Sequence, residues 1–306
     1  MYHILFLLLK IVPMSILSLL AQFVAFFLCL FKNNSLYRST NINIMLVRPT
    51  LSDSERQNLA KKSITNQLIS TVDSAKCWVM PPAWSINQIK HVHHYEILKK
   101  ALDNPNGLLI IAPHIGTWEM MNAWVAKHKP LTIMYKPTGN ADMDILVRQG
   151  REKLNATLVP TDTTGVKAIF KALKGGGCSV ILPDHVPDRH GGEIVPFFDV
   201  PTLTGTLAPK LISKTNCALV GLACIKEKDG FHIYCYDLND EKLYNKDPII
   251  STIALNRSME TMINAHFTHY MWGYRRFKYT PIAENLYLLD FKTIYHKRLE
   301  MENNND

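Results

Sequence analysis

Between Ile11 and Phe31 the sequence has no charged residue, a gap filled by Ile, Val, Leu, Phe and Ala. A helix over this run rises about 1.5 Å per residue and can cross a hydrocarbon core about 30 Å thick, so it reads as a membrane anchor, with a hairpin-like or in-plane helix as the alternative. Leu28-Cys29-Leu30-Phe31 lacks the small residues of a cleavage site, which argues against a removed signal peptide. None of the six cysteines stands at C-x-x-C spacing; in apolar surroundings they read as small core side chains in a reducing compartment. G-x-S-x-G is missing as well, so no serine is presented on a nucleophile elbow. No helix-turn-helix, finger or aromatic RNA-binding signature accompanies the basic residues, which sets nucleic acid aside as a partner. There is no internal repeat.

What is present is a large apolar fraction, 47% of 306 residues, enough for a sizeable packed core. Lys and Arg number 34 against 26 Asp and Glu, and the net charge of +8 suits an anionic membrane surface, a phosphorylated substrate or an acidic protein partner. His3 and Lys10 precede or open the apolar run, whereas Lys32, Arg38 and Arg48 follow it. That bias keeps the following domain cytoplasmic.

The chain is expected to divide into an anchor helix at 1–31, a polar Asn-rich connector at 32–50, a cytoplasm-facing catalytic domain at 51–300 and a frayed tail at 301–306. Ser52 and Glu55 form a capping-box pattern that opens a helix. Strands are predicted at Leu108 to Ala112, Leu131 to Tyr135, Ala156 to Val159, Ser179 to Leu182, Ala218 to Ala223 and Phe231 to Leu238, with a long helix over Ile249 to Tyr270. Strands separated by helix-length segments indicate an α/β fold with a mainly parallel central sheet flanked by helices. His91-Val92-His93-His94 leads into an amphipathic segment and reads as solvated, so no metal is assigned.

The segment Ile110-Ile111-Ala112-Pro113-His114-Ile115-Gly116-Thr117-Trp118-Glu119 ends a buried-strand run on a histidine and places a carboxylate five positions later. A carboxylate beside one ring nitrogen fixes the tautomer and stabilises the imidazolium, leaving the other nitrogen to take a proton from a hydroxyl. His114 and Glu119 are therefore the expected base and its orienter. His114, Tyr135-Lys136 and Asp184 each close a predicted strand, and in an open α/β sheet such ends gather along one functional edge. Trp118 either packs in the core or meets an acyl chain.

The same block, together with Leu51-Ser52-Asp53-Ser54-Glu55-Arg56, Tyr135-Lys136-Pro137, Gly150-Arg151, Leu182-Pro183-Asp184-His185, Val195-Pro196-Phe197-Phe198, Tyr270-Met271-Trp272 and Arg275-Arg276-Phe277-Lys278, resembles the late acyltransferases of bacterial lipid A biosynthesis. These belong to the wider H-x4-D/E membrane acyltransferases. The resemblance runs from about Leu51 to Pro281 in the family's order. It implies a glycerolipid-acyltransferase-like fold in the bacterial inner membrane, facing the cytoplasm. Its donor would be acyl carrier protein, its acceptor a hydroxyl on a 3-hydroxyacyl chain of a lipid A precursor, and no cofactor is implied. The alternative is acylation of another glycolipid or of lysophosphatidic acid, from acyl-CoA.

By the same resemblance Arg151 holds a phosphate or the oxyanion, and Asp184 positions Arg151 or the substrate. Lys136 stands where the family usually has arginine, which removes the bidentate fork. Arg275 and Arg276, beside Trp272, Tyr274 and Phe277, suit a membrane interface, a lipid headgroup or an acidic acyl carrier protein, or form a solvated helix end.

Overall fold

The computed structural model describes residues 2–137, 139–154 and 156–303. The first elements are α1 (Tyr2–Ile11), α2 (Met14–Leu30), α3 (Ser35–Val47), α4 (Asp53–Val79), α5 (Pro82–Gln88), β1 (Ile89–His93) and α6 (Tyr95–Leu102). Alternation follows with β2 (Leu108–Ile111), α7 (Trp118–His128), β3 (Leu131–Tyr135), α8 (Ala141–Glu152), β4 (Thr157–Pro160), α9 (Thr163–Lys174) and β5 (Cys178–Ile181). The chain closes with β6 (Gly192–Phe197), β7 (Val200–Gly205), α10 (Leu207–Thr215), β8 (Ala218–Lys226), β9 (Phe231–Asp237), α11 (Pro248–Ala265) and α12 (Phe291–Asn303).

One unit comprises residues up to Leu19, Ile69–Leu182 and Leu211–Asn239. It holds a seven-stranded sheet in the order β1-β9-β8-β2-β5-β3-β4. β8, β2, β5, β3 and β4 pair in parallel, and β9 turns back antiparallel on β8 with β1 parallel beside it. The expected mainly parallel α/β sheet is thus observed, with an antiparallel return at one edge. Leu108, Leu109, Ile110 and Ile111 are all fully buried, as a central strand covered on both faces requires. Around Leu108 and Ile110 pack Met120, Met121 and Val125 of α7, Val180 of β5 and Leu222 and Cys224 of β8. No disulfide joins any of the six cysteines among the described residues.

The other unit comprises Leu20–Leu68, Pro183–Lys210 and the chain from Asp240 onward. Its β6 and β7 form an antiparallel hairpin. The stretch expected to be a connector is the helix α3, buried at Tyr37 and from Ser39 to Val47. Its polarity is spent internally: Asn34 caps the first turn by accepting from the Tyr37 amide at 2.8 Å, and Asn43 Nδ2 donates to the Trp272 and Tyr274 carbonyls at 2.6 Å each. Asparagines that read as a linker are partners for buried carbonyls. The Ser52–Glu55 capping box forms as expected, the Ser52 amide donating to Glu55 at 2.9 Å and the Glu55 amide to the Ser52 hydroxyl at 3.3 Å. The long helix expected to reach Tyr270 stops at Ala265, and a short 3-10 turn covers Phe267–His269.

The expected single anchor helix is broken. Pro13 lacks an amide proton and separates α1 from α2. Among the described residues no single helix is long and apolar enough to cross a membrane; α2 and α3 pass that test only jointly and are bent by 78°.

The β6–β7 turn places Phe198 and Asp199 at positive φ, 51° and 58°, where side chains larger than glycine are disfavoured. Glu260 of α11 holds that turn by accepting from the Phe198 amide at 2.7 Å. Burial raises the Glu260 carboxyl to about 7, against the lowering effect of that amide, and Asp199 adds to the rise. Because the folded value lies above the unfolded one, the folded state holds the proton more tightly. The associated stability is complete below about pH 4.5 and is lost as pH rises through about 7. Glu260→Gln keeps an oxygen for the Phe198 amide and removes the titration. Melting temperatures at pH 5 and pH 8 should therefore fall further in the parent chain than in Glu260→Gln; equal falls would show that Glu260 does not titrate in this range.

Candidate active site

β2 is aligned with its neighbours so that Ile111 stands level with Ile181 of β5 and Gly221 of β8, while β3 runs parallel to β5 and ends at Tyr135. The carboxyl ends of these strands lie along one edge of the sheet, the position where open α/β sheets present functional groups. The loop 112–117 leaves from that edge.

This loop is fixed by backbone contacts to β8. Gly116 has φ +61° and bridges Cys224, whose carbonyl accepts from the Thr117 amide at 2.8 Å. A β-carbon at Gly116 would lie 2.1 Å from the Cys224 oxygen, so only glycine fits. The Ser70 hydroxyl donates to the Gly116 carbonyl, and the Thr117 hydroxyl donates to Ser70 at 3.1 Å. His114 sits half-buried in this braced loop, with its ring edge-on to Trp118 and centroids 4.7 Å apart. Trp118 also packs on the hydrophobic core of this unit.

α7 begins at Trp118, so Glu119 falls in its first turn, where the free amides of a helix start favour a carboxylate. Glu119 is only 3% exposed. Its Oε1 accepts from Arg151 Nη2 at 2.5 Å, and its Oε2 from Arg151 Nε at 3.4 Å and Asn122 Nδ2 at 3.3 Å. Burial works against the charge on Arg151, but Glu119 more than offsets it and raises the guanidinium's hold on its proton.

Arg151 is delivered by the last turn of α8, next to Gly150. A β-carbon at Gly150 would come within 2.7 Å of Trp78 Cα, so this glycine lets α8 approach α4 closely. The Arg151 guanidinium lies 5.7 Å from the Tyr135 ring centroid, and Tyr135 in turn donates to Asp144 at 2.7 Å. Burial first, and then the bond to Asp144, push the Tyr135 hydroxyl up to about 12, so it stays protonated. Lys136, the next residue, is exposed at the end of β3.

Sequence reasoning gave Glu119 to the His114 imidazole and Arg151 to a substrate anion. The structure makes Glu119 and Arg151 an ion pair, with Tyr135 against the guanidinium and Trp118 against His114. Asn122, Asp144 and the steric role of Gly150 were not singled out from the sequence. Asn122 lies one turn after Glu119 on α7, and that i, i+3 spacing was its available signal.

In the second unit Asp184 is 1% exposed, hydrogen-bonded by the Tyr270 hydroxyl and close to the charge of Arg276. Arg276 is not the surface cation expected. It is 1% exposed, donates to the Leu203 carbonyl at 2.7 Å and the Thr204 hydroxyl at 2.6 Å, and lies 4.7 Å from the Phe197 ring centroid. The hairpin carbonyl needs a donor, and the arginine fills that need inside the fold. Arg275 is exposed and lies over Tyr287 at 5.6 Å. The aromatic pair Phe197 and Phe198 is buried. A cavity of about 720 Å3 in this unit is lined by Arg189 and Lys278, by Glu193 and Glu284, and by Ile194 and Tyr279 among others.

A family model described as bacterial lipid A biosynthesis acyltransferase matches residues 1–279 of this chain. The chain belongs to that family. It is an acyltransferase of lipid A biosynthesis. Among its relatives, a lipid A biosynthesis acyltransferase of Haemophilus influenzae is 27% identical over 253 residues, 81% of this chain and 79% of the relative. The lipid A biosynthesis lauroyltransferase of Escherichia coli K12 is 26% identical over 241 residues, 78% of each chain. The palmitoleoyltransferase of the same organism is 23% identical over 244 residues, 79% of each.

In this acyltransferase the loop carrying His114 depends on Gly116. Gly116→Ala adds left-handed backbone strain of about 1–2 kcal/mol and the clash with Cys224 to it, overpacking that typically costs about 1–3 kcal/mol more. Gly139→Ala is the control, since Gly139 also has positive φ, 84°, but has nothing within 4 Å of its β-carbon position. Thermal melting should show a clearly larger loss for Gly116→Ala than for Gly139→Ala; equal losses would mean that the loop is not held against β8.

Proposed function

We propose that this acyltransferase moves a fatty acyl group from an acyl carrier protein thioester to a hydroxyl of a 3-hydroxyacyl chain on a lipid A precursor, with His114 as general base. The observation that carries this is a half-buried histidine on a braced loop at the carboxyl edge of the sheet. That loop runs directly into a helix whose first turn holds the buried Glu119–Arg151 pair.

In the proposed step a ring nitrogen of His114 takes the proton of the acceptor hydroxyl as its oxygen bonds to the thioester carbon. The tetrahedral oxyanion then collapses, the carbon–sulfur bond breaks, and the departing sulfur receives the proton from His114. Glu119 favours the imidazolium formed between the two transfers, and Arg151 holds the Glu119 carboxylate in place through their ion pair. No enzyme-bound acyl group is needed. Arg151, Asp184, Lys136, Trp118, Arg275 and Arg276 remain candidates for contributing to the substrate sites, Arg276 through the fold that it braces.

We place residues 1–31 in the inner membrane, with the 51–300 domain facing the cytoplasm. Leu7, Leu8, Ile11, Leu19, Phe23 and Phe26 are each more than half exposed, an apolar surface that water would not support. At 17 residues α2 is about 26 Å long, short of a straight crossing of about 30 Å, and α3 is buried in protein. A broken segment lying in or dipping into one leaflet fits these lengths.

His114→Ala should lower turnover about 100- to 10,000-fold, the usual cost of removing a positioned general base, without moving the melting temperature. The purified full chain should acylate a lipid A precursor from acyl carrier protein thioester far more efficiently than it acylates lysophosphatidic acid. Product mass spectrometry with specificity constants for both acceptors decides this. Near-normal turnover in His114→Ala removes the base, and a preference for lysophosphatidic acid removes the acceptor.

A further inference from the structure

Strand β1 lies at the edge of the seven-stranded sheet and carries His91 and His93 two residues apart, hence on one face. Its parallel register on β9 sets His91 opposite His232 and His93 opposite Tyr234. Asp229, in the turn between β8 and β9, completes the group. One oxygen of its carboxylate faces His232 Nε2 at 3.0 Å and the other faces His91 Nε2 at 3.4 Å. The donor atoms of His91, Asp229 and His232 all lie within 4.8 Å of one another.

Two ring nitrogens converging on one carboxylate are held either by their own N–H hydrogen bonds or by a metal ion between them. The surroundings favour the metal. His232 Nδ1 stands 3.1 Å from His93 Nε2, so with its proton on Nδ1 the ring presents the Nε2 lone pair toward Asp229. His93 is stacked on Tyr234, with centroids 4.4 Å apart and planes within 13°, and Tyr234 donates to Glu227 at 3.2 Å. The orienting ring is itself held. Zinc bonded to nitrogen and oxygen at about 2.0–2.2 Å separates tetrahedral ligands by about 3.3 Å, and the donor atoms here, all within 4.8 Å of one another, need only a modest side-chain adjustment to reach it. Imidazole with carboxylate suits zinc, nickel and copper, whereas magnesium and calcium prefer all-oxygen sites.

We propose that His91, Asp229 and His232 form a surface site for a divalent ion of the zinc, nickel and copper class, oriented through His93, that staples edge strand β1 to the β8–β9 hairpin. The site lies outside the acyl-transfer chemistry. Its side chains reach solvent, the exposed imidazole and carboxylate being 59% and 54% accessible, so an ion can enter without unfolding.

The test uses the full chain in detergent, free of any histidine tag, titrated with Zn2+ by calorimetry and followed by thermal melting. One Zn2+ should bind per chain and raise the melting temperature. His91→Ala and His232→Ala should each weaken binding at least about tenfold, and His93→Phe should weaken it about 10- to 100-fold by removing the orienting partner. Mg2+ should neither bind there nor compete. Absence of saturable Zn2+ binding, or binding and stabilisation that persist unchanged in both His91→Ala and His232→Ala, would overturn the assignment.

Discussion

A carboxylate buried to 3% exposure in the first turn of a helix can stay charged only if something pairs with it, and Arg151 is what pairs with Glu119. That one requirement organises the first unit. Glu119 fixes where α7 must start, Arg151 fixes how closely α8 must approach, and the ring of Tyr135 and the amide of Asn122 complete the surroundings of the two charges. Replacing such a pair by apolar residues would often cost a fold little, whereas removing one partner alone leaves an uncompensated buried charge. The pair is therefore better understood as a device for fixing how α7 and α8 meet at the sheet edge than as a contribution to stability.

Two close approaches of backbone make that device possible. At Gly116 the chain passes so near β8 that no side chain can be accommodated, and this pins the loop that carries His114. At Gly150 the same exclusion occurs against Trp78, and it sets α8 at the distance from which Arg151 reaches Glu119. The local chain conformation, the packing of helices and the electrostatics of the acyltransferase centre are in this sense one constraint seen at three levels. The reaction proposed needs a base whose protonated form is favoured at the moment of attack, and in that proposal Glu119 near the start of α7 supplies the bias.

Much of this was legible in the sequence, for reasons that can be named. The strands around Leu108, Leu131, Cys178 and Ala218 announced themselves as short apolar runs between helix-length segments, and Leu131–Tyr135 matched residue for residue. The Ser52 and Glu55 caps were visible because both partners of a capping box lie within one turn. What escaped was non-local. Asn43 looked like linker polarity because its partners, the Trp272 and Tyr274 carbonyls, are more than 200 positions away. Arg276 looked like surface charge for the same reason, its acceptors being on the β6–β7 hairpin. The partner that holds Glu119 comes from 32 positions away, where spacing carries no information. The uncharged run from Ile11 to Phe31 suggested one helix, but Pro13 lies inside it and divides α1 from α2.

The claim most open to direct trial is that Glu119 and Arg151 act as a single unit in the acyltransferase. A double-mutant cycle with Glu119→Gln, Arg151→Met and the pair together, read in specificity constant and in unfolding free energy, measures their coupling. The account predicts that the double variant is little worse than either single one, with a coupling of at least about 1 kcal/mol, within the range of about 0.5–3 kcal/mol known for residues in direct contact. Effects that simply add would show two independent residues and contradict it.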